Sequence, residues 1–212
     1  MNIAVFASGR GSNLMAILNA IKEGKINAKV ALVISNNSNA GALEIAKANG
    51  IDALHISRAQ FTSDEDYVKK LLYELKSRNI ELIVLAGYMK KIPPEVVQEY
   101  RNKILNIHPA LLPAFGGQGM YGMNVHKAVI DYGVKVTGVT VHIVDEEYDH
   151  GPIVMQRAIE VRDDDTPETL AERVLKVEHE IYPIAIKLFV DGKITVSGRK
   201  VLIKDENQDS SY

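Results

Sequence analysis

The chain has 212 residues, of which 46% are hydrophobic and 25% charged, a globular composition that argues against a disordered, collagen-like or coiled-coil protein. Its formal net charge of −2 at pH 7 argues against a general nucleic-acid-binding protein, because such proteins carry an excess of Lys and Arg. The sequence has no Cys, so disulfide bonds, thiolate metal ligands and a Cys nucleophile are excluded.

No apolar segment has the length of a membrane span. The longest such run near mid-chain, Leu82 to Met89, ends at Lys90 and falls far short of the roughly 18 residues that a membrane helix needs. The N-terminus lacks the basic start, long apolar run and cleavage site of a secretory signal. We therefore expect a cytoplasmic protein with no membrane partner.

The first half of the chain alternates short apolar runs with amphipathic segments. The predicted elements are a strand at 3–7, a helix over about 14–21, a strand at 30–34, a helix at 42–48, a strand at 54–56, a helix at 64–76 capped by Ser63, and a strand at 82–86. This alternation predicts an α/β fold with a mostly parallel sheet flanked by helices on both faces.

The pattern changes in the second half. The elements predicted there are a strand at 104–107, an irregular Pro/Gly-rich loop at 109–123, a helix at 125–132, and strands at 134–144 and 153–159 that pair through the acidic turn 145–151. A last helix begins at Thr166-Pro167, and Pro183 should kink it. The polar tail 205–212 is expected to be loosely held.

A glycine-containing segment, Gly9-Arg10-Gly11-Ser12-Asn13, lies between the first strand and the first helix. Free backbone N–H groups and the positive helix end meet there and favour an anion. Position 14 is Leu14 where a dinucleotide fingerprint needs Gly, and no Walker loop is present, so a single phosphate is favoured. The same residues are equally compatible with a tight turn in which Ser12 only caps the helix.

The segment Asn106-Ile107-His108-Pro109 combines an amide with a titratable imidazole. Residues two apart on an extended chain project to the same side, so Asn106 and His108 should face one cavity while Ile107 enters the core. Such a pair suits a reaction that builds negative charge on an oxygen and moves a proton. Taken alone, the pattern fits a strand-end His bonded to backbone more simply.

An acidic loop, Asp145 to Pro152, follows the strand that carries His142. Most of its carboxylates should face solvent, but one that points inward would raise the pKa of His108. Asp149 is the better candidate because a Gly-Pro turn behind it fixes the return of the loop. His142 is either a histidine at the edge of the core or a partner of this site, and we favour the second.

The histidines do not predict a metal site. The six are His55, His108, His126, His142, His150 and His179. They include no i,i+4 pair and no H-E-x-x-H motif, so we expect no metal. Ser12 also lacks the Gly-x-Ser-x-Gly elbow of a nucleophilic serine.

Taken together, these segments resemble the glycinamide ribonucleotide formyltransferases, the folate-dependent enzymes of purine biosynthesis. The matching segments, in order, are Ser8 to Leu14, Leu85 to Met89, Asn106 to Pro109 with Leu111-Leu112-Pro113, His142 before Asp149 to Pro152, and Glu178 to Pro183. The resemblance implies a Rossmann-like formyltransferase fold. It also implies a catalytic domain at 1–192, with a phosphate-binding half at 1–100, a catalytic and folate-binding half at 101–192, and a C-terminal extension at 193–212.

The resemblance implies a role for each matching residue. The substrate-binding residues would be Gly11, Ser12 and Asn13 for the ribonucleotide phosphate and Glu178 for the ribose. The folate site would be lined by Met89, Lys90, Lys91, Ile92 and Asn106. The catalytic residues would be Asn106, His108 and Asp149.

The implied reaction moves the formyl group of 10-formyltetrahydrofolate, a cosubstrate, to the amine of glycinamide ribonucleotide, giving formylglycinamide ribonucleotide and tetrahydrofolate. Asn106 and a protonated His108 would stabilise the oxyanion, and Asp149 would keep His108 cationic. The partners would be these small molecules, with no nucleic acid or metal, and a homodimer is left open.

Two features depart from the family pattern. The loop 115–123 is longer than in many relatives, and its four glycines suit a mobile flap. Lys90-Lys91 stands where relatives often have Arg and an apolar residue, and Asp64 stands where some carry Arg. The folate glutamate tail would then be held differently, because a lysine supplies a point charge and not a bidentate fork.

Three alternatives remain at the level of sequence. Methionyl-tRNA formyltransferases normally carry a further C-terminal domain and a basic surface, and formyltetrahydrofolate hydrolases an extra N-terminal domain. We expect neither in 212 residues whose catalytic unit starts at Met1. A non-catalytic sensor of ribonucleotide phosphate or folate would keep the glycine loop but transfer no formyl group.

Overall fold

The computed structural model describes residues 1–204. Its helices are α1 (Ser12–Lys22), α2 (Gly41–Ala48), α3 (Asp64–Lys76), α4 (Pro94–Glu99), α5 (Met123–Tyr132) and α6 (Pro167–Val190). Its strands are β1 (Asn2–Phe6), β2 (Lys29–Ser35), β3 (Asp52–His55), β4 (Leu82–Leu85), β5 (Ile104–His108), β6 (Val136–Ile143), β7 (Ile153–Glu160), β8 (Ile194–Ser197) and β9 (Lys200–Ile203).

The strands of this region form one nine-stranded sheet in the order β3-β2-β1-β4-β5-β6-β7-β9-β8. The first five in that order are parallel, whereas β6 runs antiparallel to both β5 and β7. The expected mostly parallel α/β fold is therefore confirmed. β1 lies at the point where the chain reverses its direction of progress along the sheet, which is where open α/β sheets form a cleft.

Helices cover both faces of the sheet, because successive side chains on the central strands alternate between two cores. On β1, Ile3 and Val5 pack in the cluster that includes α1, α2, α5 and α6. Ala4 and Phe6 point the other way, into the cluster with α3 and α4. These strands are apolar on both faces, as expected of a sheet buried by helices on each side.

Most predicted elements are found within two residues of their expected bounds. The helix at 64–76 and its Ser63 cap are confirmed, since the Ser63 hydroxyl accepts a hydrogen bond from the Asp66 amide. The antiparallel pairing of β6 with β7 is also confirmed. α6 runs through Pro183 without interruption, so the predicted kink stays a prediction.

Three elements were not predicted. They are the short helix α4 and the hairpin of β8 and β9, which falls within the expected C-terminal extension 193–212. The hairpin continues the sheet through a pairing of Ile153 on β7 with Lys200 on β9. The tail predicted to be loose, 205–212, lies outside the described residues.

Within residues 1–204, none of the helices combines the length and apolar character needed to cross a bilayer.

Candidate active site

The loop after β1 presents the N-terminus of α1 to a cavity. Gly11 is the N-cap at φ 85° and ψ 23°, and no side chain caps the first turn. A Cβ at Gly11 would lie 2.8 Å from the Cα of Ala42, so glycine permits both this backbone conformation and the close approach of α2. The alternative in which Ser12 caps the helix is wrong, because Ser12 is the first helical residue. The uncapped N–H groups suit an anion.

Asn13 and Glu178 join α1 to α6 at the same end of the cavity. Asn13 Nδ2 donates a hydrogen bond of 2.7 Å to Glu178 Oε2, and both residues are buried. Burial raises the pKa of Glu178 to about 7, against the opposing effect of the hydrogen bond from Asn13. A carboxyl group that is half protonated at neutral pH can both donate and accept hydrogen bonds.

A cavity of about 600 Å³ brings the predicted site residues together. The predicted residues that line it are Gly11, Ser12, Asn13, Met89, Lys90, Asn106, His108, Asp149 and Glu178. They come from loops, strand ends and helices far apart in the sequence. The cavity therefore holds the predicted phosphate-binding segment and the predicted catalytic residues in one continuous space.

Asn106 contacts His142 across the β5–β6 ladder, where the two residues are paired. The Asn106 Nδ2 to His142 Nε2 distance is 3.0 Å, and His142 Nδ1 lies 2.9 Å from the carbonyl oxygen of Ile143. A hydrogen on Nδ1 satisfies that carbonyl and leaves Nε2 to accept from the Asn106 amide. His142 is thus a partner of the site, the reading that we favoured from the sequence.

His108 and Asp149 also meet, with 3.5 Å between His108 Nδ1 and Asp149 Oδ1. Asp149 therefore points inward, as expected. The backbone amide of Gly117 donates to Asp149 Oδ2 at 3.0 Å, and Asn106 Nδ2 lies 3.5 Å from Oδ1. On its other side, His108 Nε2 lies 2.8 Å from the carbonyl oxygen of Phe115. The imidazole lies between two acceptors, one of them a carboxylate.

The resemblance implied a cationic His108, whereas the environment of this side chain favours the neutral imidazole. Burial lowers the pKa of His108 below its usual value of 6.5, and it outweighs the charge of Asp149 and the Phe115 carbonyl, which raise it. The pKa of Asp149 is also lowered: burial acts to raise it, but the neighbouring His142 and His108 side chains and the hydrogen bond from the Gly117 amide outweigh burial. The pair at neutral pH is accordingly a neutral imidazole beside a carboxylate.

The segment after β5 is held by side chains that the sequence did not single out. The Thr140 hydroxyl donates to the Ala110 carbonyl at 2.7 Å and accepts from the Leu112 amide at 3.1 Å. The Tyr182 hydroxyl contacts the carbonyl oxygens of Leu85 at 2.8 Å and Leu105 at 3.0 Å. The Thr140 bonds hold the segment after β5, and the Tyr182 bonds join the end of β4 to the β5 residue that precedes Asn106. A single Thr or Tyr carries no sequence signal of such a role.

His126 is a further residue of the cavity that sequence reasoning left without a role. It is buried on α5, and its Nδ1 has no hydrogen-bond partner among residues 1–204. Its pKa is lowered to about 4, chiefly by burial and to a smaller extent by the neighbouring His108. A lone histidine on an amphipathic helix gives no pattern from which this position could have been found.

The predicted folate segment divides between the cavity, a neighbouring cavity and the core. Met89 and Lys90 line the first cavity, and Lys90 also lines a second one of about 610 Å³ together with Lys91. Ile92 is 4% exposed and packs in the core, so the structure does not bring its side chain to either cavity. The apolar Ile92 side chain points into the core, whereas the side chains of Lys90 and Lys91 are exposed to solvent.

The long loop 115–123 forms one wall of the first cavity, which Gly117 to Gly122 line. Phe115 and Gly117 supply the carbonyl and the amide that contact His108 and Asp149. A Cβ at Gly116 would lie 2.5 Å from a Leu112 side-chain carbon and 3.2 Å from the Cβ of Asp149. The loop is therefore part of the site, and its mobility stays a prediction.

No group of three or more His, Asp or Glu side chains within residues 1–204 is arranged to hold a metal ion.

The fold and the site together define an enzyme that transfers a small acyl group. The family model described as Formyl transferase matches residues 1–186. The chain belongs to this formyl transferase family.

Relatives of known name narrow the family to one branch. The chain is 42% identical to the chloroplastic phosphoribosylglycinamide formyltransferase of Arabidopsis thaliana, over 99% of this chain and 73% of that protein. It is also 42% identical to the phosphoribosylglycinamide formyltransferase of Bacillus subtilis, over 87% of this chain and 92% of the relative. Within the family, it therefore groups with the phosphoribosylglycinamide formyltransferases.

A solved structure agrees with this grouping. Glycinamide ribonucleotide transformylase 1 from Symbiobacterium toebii superimposes with a TM-score of 0.91 at 42% identity, covering 97% of this chain and 94% of that one.

Proposed function

We propose that this chain transfers the formyl group of 10-formyltetrahydrofolate to the amine of glycinamide ribonucleotide, giving formylglycinamide ribonucleotide and tetrahydrofolate. The observation that carries the proposal is that Asn106, His108 and Asp149 line one cavity with the uncapped N-terminus of α1. The three side chains suit acyl transfer, and the helix N-terminus suits the phosphate of the acceptor.

The acceptor occupies the end of the cavity formed by α1 and α6. Its phosphate binds the backbone amides at Gly11, Ser12 and Asn13, where the helix dipole adds to their hydrogen bonds. Its ribose hydroxyls bind Glu178, whose carboxyl group is positioned by the hydrogen bond from Asn13. These contacts direct the glycinamide amine toward Asn106 and His108.

The chemistry requires an oxyanion site and a proton carrier. The amine nitrogen attacks the formyl carbon, the carbonyl electrons move to oxygen, and the Asn106 amide donates a hydrogen bond to the resulting oxyanion. A proton passes from the attacking nitrogen to neutral His108, whose imidazolium is stabilised by the Asp149 carboxylate. The same proton then reaches the folate nitrogen as its bond to the formyl carbon breaks and the carbonyl re-forms.

A neutral His108 fits this sequence of steps better than the cation expected from the sequence. A base must accept a proton before it can donate one, and burial keeps the ring unprotonated near pH 7. Because Nε2 lies 2.8 Å from the Phe115 carbonyl, productive binding must break that hydrogen bond. The hydrogen on Nδ1 can then point to Asp149 while Nε2 faces the substrates.

The folate enters beside Met89 and Lys90, and its glutamate tail extends into the second cavity. That cavity is lined by Arg58, Lys90 and Lys91, which can bind carboxylates. Arg58 forms an ion pair with Asp64, the residue that replaces Arg in some relatives. Because Asp64 neutralises Arg58, Lys90 and Lys91 are the cations that we assign to the carboxylates of the tail.

Formyl transfer to glycinamide ribonucleotide, followed by the release of tetrahydrofolate, tests the proposal. We expect transfer by the unaltered chain, a loss of about 10²–10⁴-fold in kcat for His108→Ala, and little change for His55→Ala, a histidine outside the cavity. Equal rates for all three would remove His108 from the mechanism. Release of formate without transfer would identify a hydrolase, and binding without turnover would identify a sensor.

Further features of the enzyme are proposed with this function. It uses the folate as a cosubstrate without a metal, acts in the cytoplasm, and has neither nucleic-acid nor membrane partners. The mass of the protein in solution decides whether it forms a homodimer. The boundaries of a catalytic domain at 1–192, its halves at 1–100 and 101–192, and the extension at 193–212 are proposed likewise.

A further inference from the structure

The loop between β6 and β7 carries Asp149 in a backbone conformation that needs support. Asp149 has φ 49°, in the left-handed region, where residues other than glycine are held only by their surroundings. From inside, the carboxylate contacts His108 at 3.5 Å and accepts from Gly117 at 3.0 Å. These bonds hold the side chain but leave open what holds the residue that follows it.

That residue, His150, is held from outside by Arg199 through its carbonyl group, which belongs to the His150–Gly151 peptide. Arg199 Nη2 donates a hydrogen bond of 2.6 Å to the carbonyl oxygen of His150, the residue next to Asp149. Its Nη1 lies 3.4 Å from each of the two ring nitrogens of His150, so the guanidinium group lies against the imidazole ring. One side chain thus contacts both the backbone and the ring of the same residue.

The contact continues across the loop to its first residue. His150 Nδ1 lies 2.7 Å from Asp145 Oδ2, and Asp145 Oδ1 accepts a hydrogen bond of 3.0 Å from the Glu147 amide. Arg199, His150 and Asp145 therefore form a chain of contacts that joins both ends of the loop. The outer face of the loop is restrained independently of the cavity.

The position of Arg199 is fixed by the sheet. It lies in the turn between β8 and β9, and the next residue, Lys200, pairs with Ile153 at the start of β7. Ile153 is also the first strand residue after the loop. The hairpin and the loop therefore share one anchor point, which places the backbone of Arg199 beside the His150 peptide.

We propose that Arg199 is a positioning residue for the catalytic carboxylate: by holding the His150 peptide, it sets the distance between Asp149 and His108. This inference rests on the proposed function, in which Asp149 stabilises the His108 imidazolium. Arg199 itself touches neither substrate nor reacting atom. A displacement of about 1 Å at a catalytic group can lower the rate by a factor of about 10².

Arg199→Ala, Arg199→Lys and the control Arg157→Ala test this role. Arg157 is an exposed arginine of β7 that pairs with Glu180 and does not line the cavity. Each variant is assayed for kcat, for KM of both substrates and for melting temperature. The pKa of His108 is followed by NMR together with its titratable neighbours His126 and His142, and His55, which lies outside the cavity, serves as the internal reference.

For Arg199→Ala we expect kcat to fall about tenfold, with both KM values within about twofold of the unaltered protein. The pKa of His108 should fall, because the carboxylate that raises it moves away. The melting temperature should change little, since exposed charged contacts contribute little to stability. Arg199→Lys should recover part of kcat, because an ammonium group can still donate to the His150 carbonyl.

The proposal is overturned if Arg199→Ala matches Arg157→Ala in kcat and in the pKa of His108, or if only KM changes. If Arg199→Ala melts early, Arg199→Met decides, because Met keeps much of the side-chain length but cannot donate a hydrogen bond; an unchanged kcat and an unchanged pKa of His108 in that variant also contradict the role. Failure of the unaltered chain to transfer formyl groups would instead refute the proposed function. In that case the NMR titration still shows whether Arg199 positions Asp149.

Discussion

Replacing Glu178 by Gln should make the protein more stable at alkaline pH. Glu178 is buried, and its pKa is raised from 4.5 to about 7, chiefly by burial. Above that pKa the folded protein holds a buried carboxylate that accepts a hydrogen bond from the neutral amide of Asn13. An amide side chain has the same shape, keeps an acceptor for Asn13 and carries no charge.

The sign and size follow from proton linkage. A carboxyl group whose pKa is higher in the folded state binds more protons there, so its contribution to stability is favourable at low pH and is lost as pH rises from about 4.5 to about 7. At 1.36 kcal/mol per pKa unit, the loss amounts to about 3 kcal/mol. For a chain of this size that corresponds to about 6–12 °C in melting temperature.

Melting temperatures of the two proteins between pH 4 and pH 8 measure the effect directly. The curves should coincide near pH 4 and separate above it, with the Gln variant higher. Glu74→Gln is a matched control of opposite sign, because the hydrogen bonds and charges of Lys70 and Arg78 outweigh burial and lower the pKa of Glu74. Parallel curves for Glu178→Gln and the unaltered protein would refute the assignment of a raised pKa.

Two further substitutions probe the supports of the site. Gly11→Ala places a Cβ 2.8 Å from a backbone atom of α2, at a residue whose φ is positive. The variant should therefore raise KM for the ribonucleotide about tenfold or more and destabilise the fold by about 2 kcal/mol. An unchanged KM in steady-state kinetics would exclude a phosphate site at this position. Tyr182→Phe removes the hydroxyl that contacts two buried carbonyls, and calorimetry should show a loss of about 1–3 kcal/mol. An unchanged melting temperature would mean that neither bond contributes to stability.

The sequence was most informative where local periodicity and burial agree. The helix α3 was predicted with its cap because Ser63 precedes an acidic first turn and an apolar stripe. The hairpin of β8 and β9 was missed because its four-residue strands bury few side chains, so they lack a core-facing pattern. α4 was missed although two prolines precede or open it, a known signal of a helix start.

At the site, the residue types were predictable but their environment was not. The spacing of Asn106 and His108 followed from strand geometry, and Asp149 was selected by the turn behind it. The Phe115 carbonyl beside His108 belongs to the backbone, so no side-chain pattern could reveal it. The burial that lowers the pKa of His108 depends on loops from several parts of the chain, so the sequence could not reveal it.

The direct pairing of Asn106 with His142 has a consequence for tolerance to insertions. Side chains on neighbouring strand positions point to opposite faces, so adding one residue to β5 or β6 would place Val141 or Ile143 opposite the amide and turn the imidazole away. Length variation among homologous chains should then concentrate in connecting segments such as 115–123, while these two strands keep a constant number of residues.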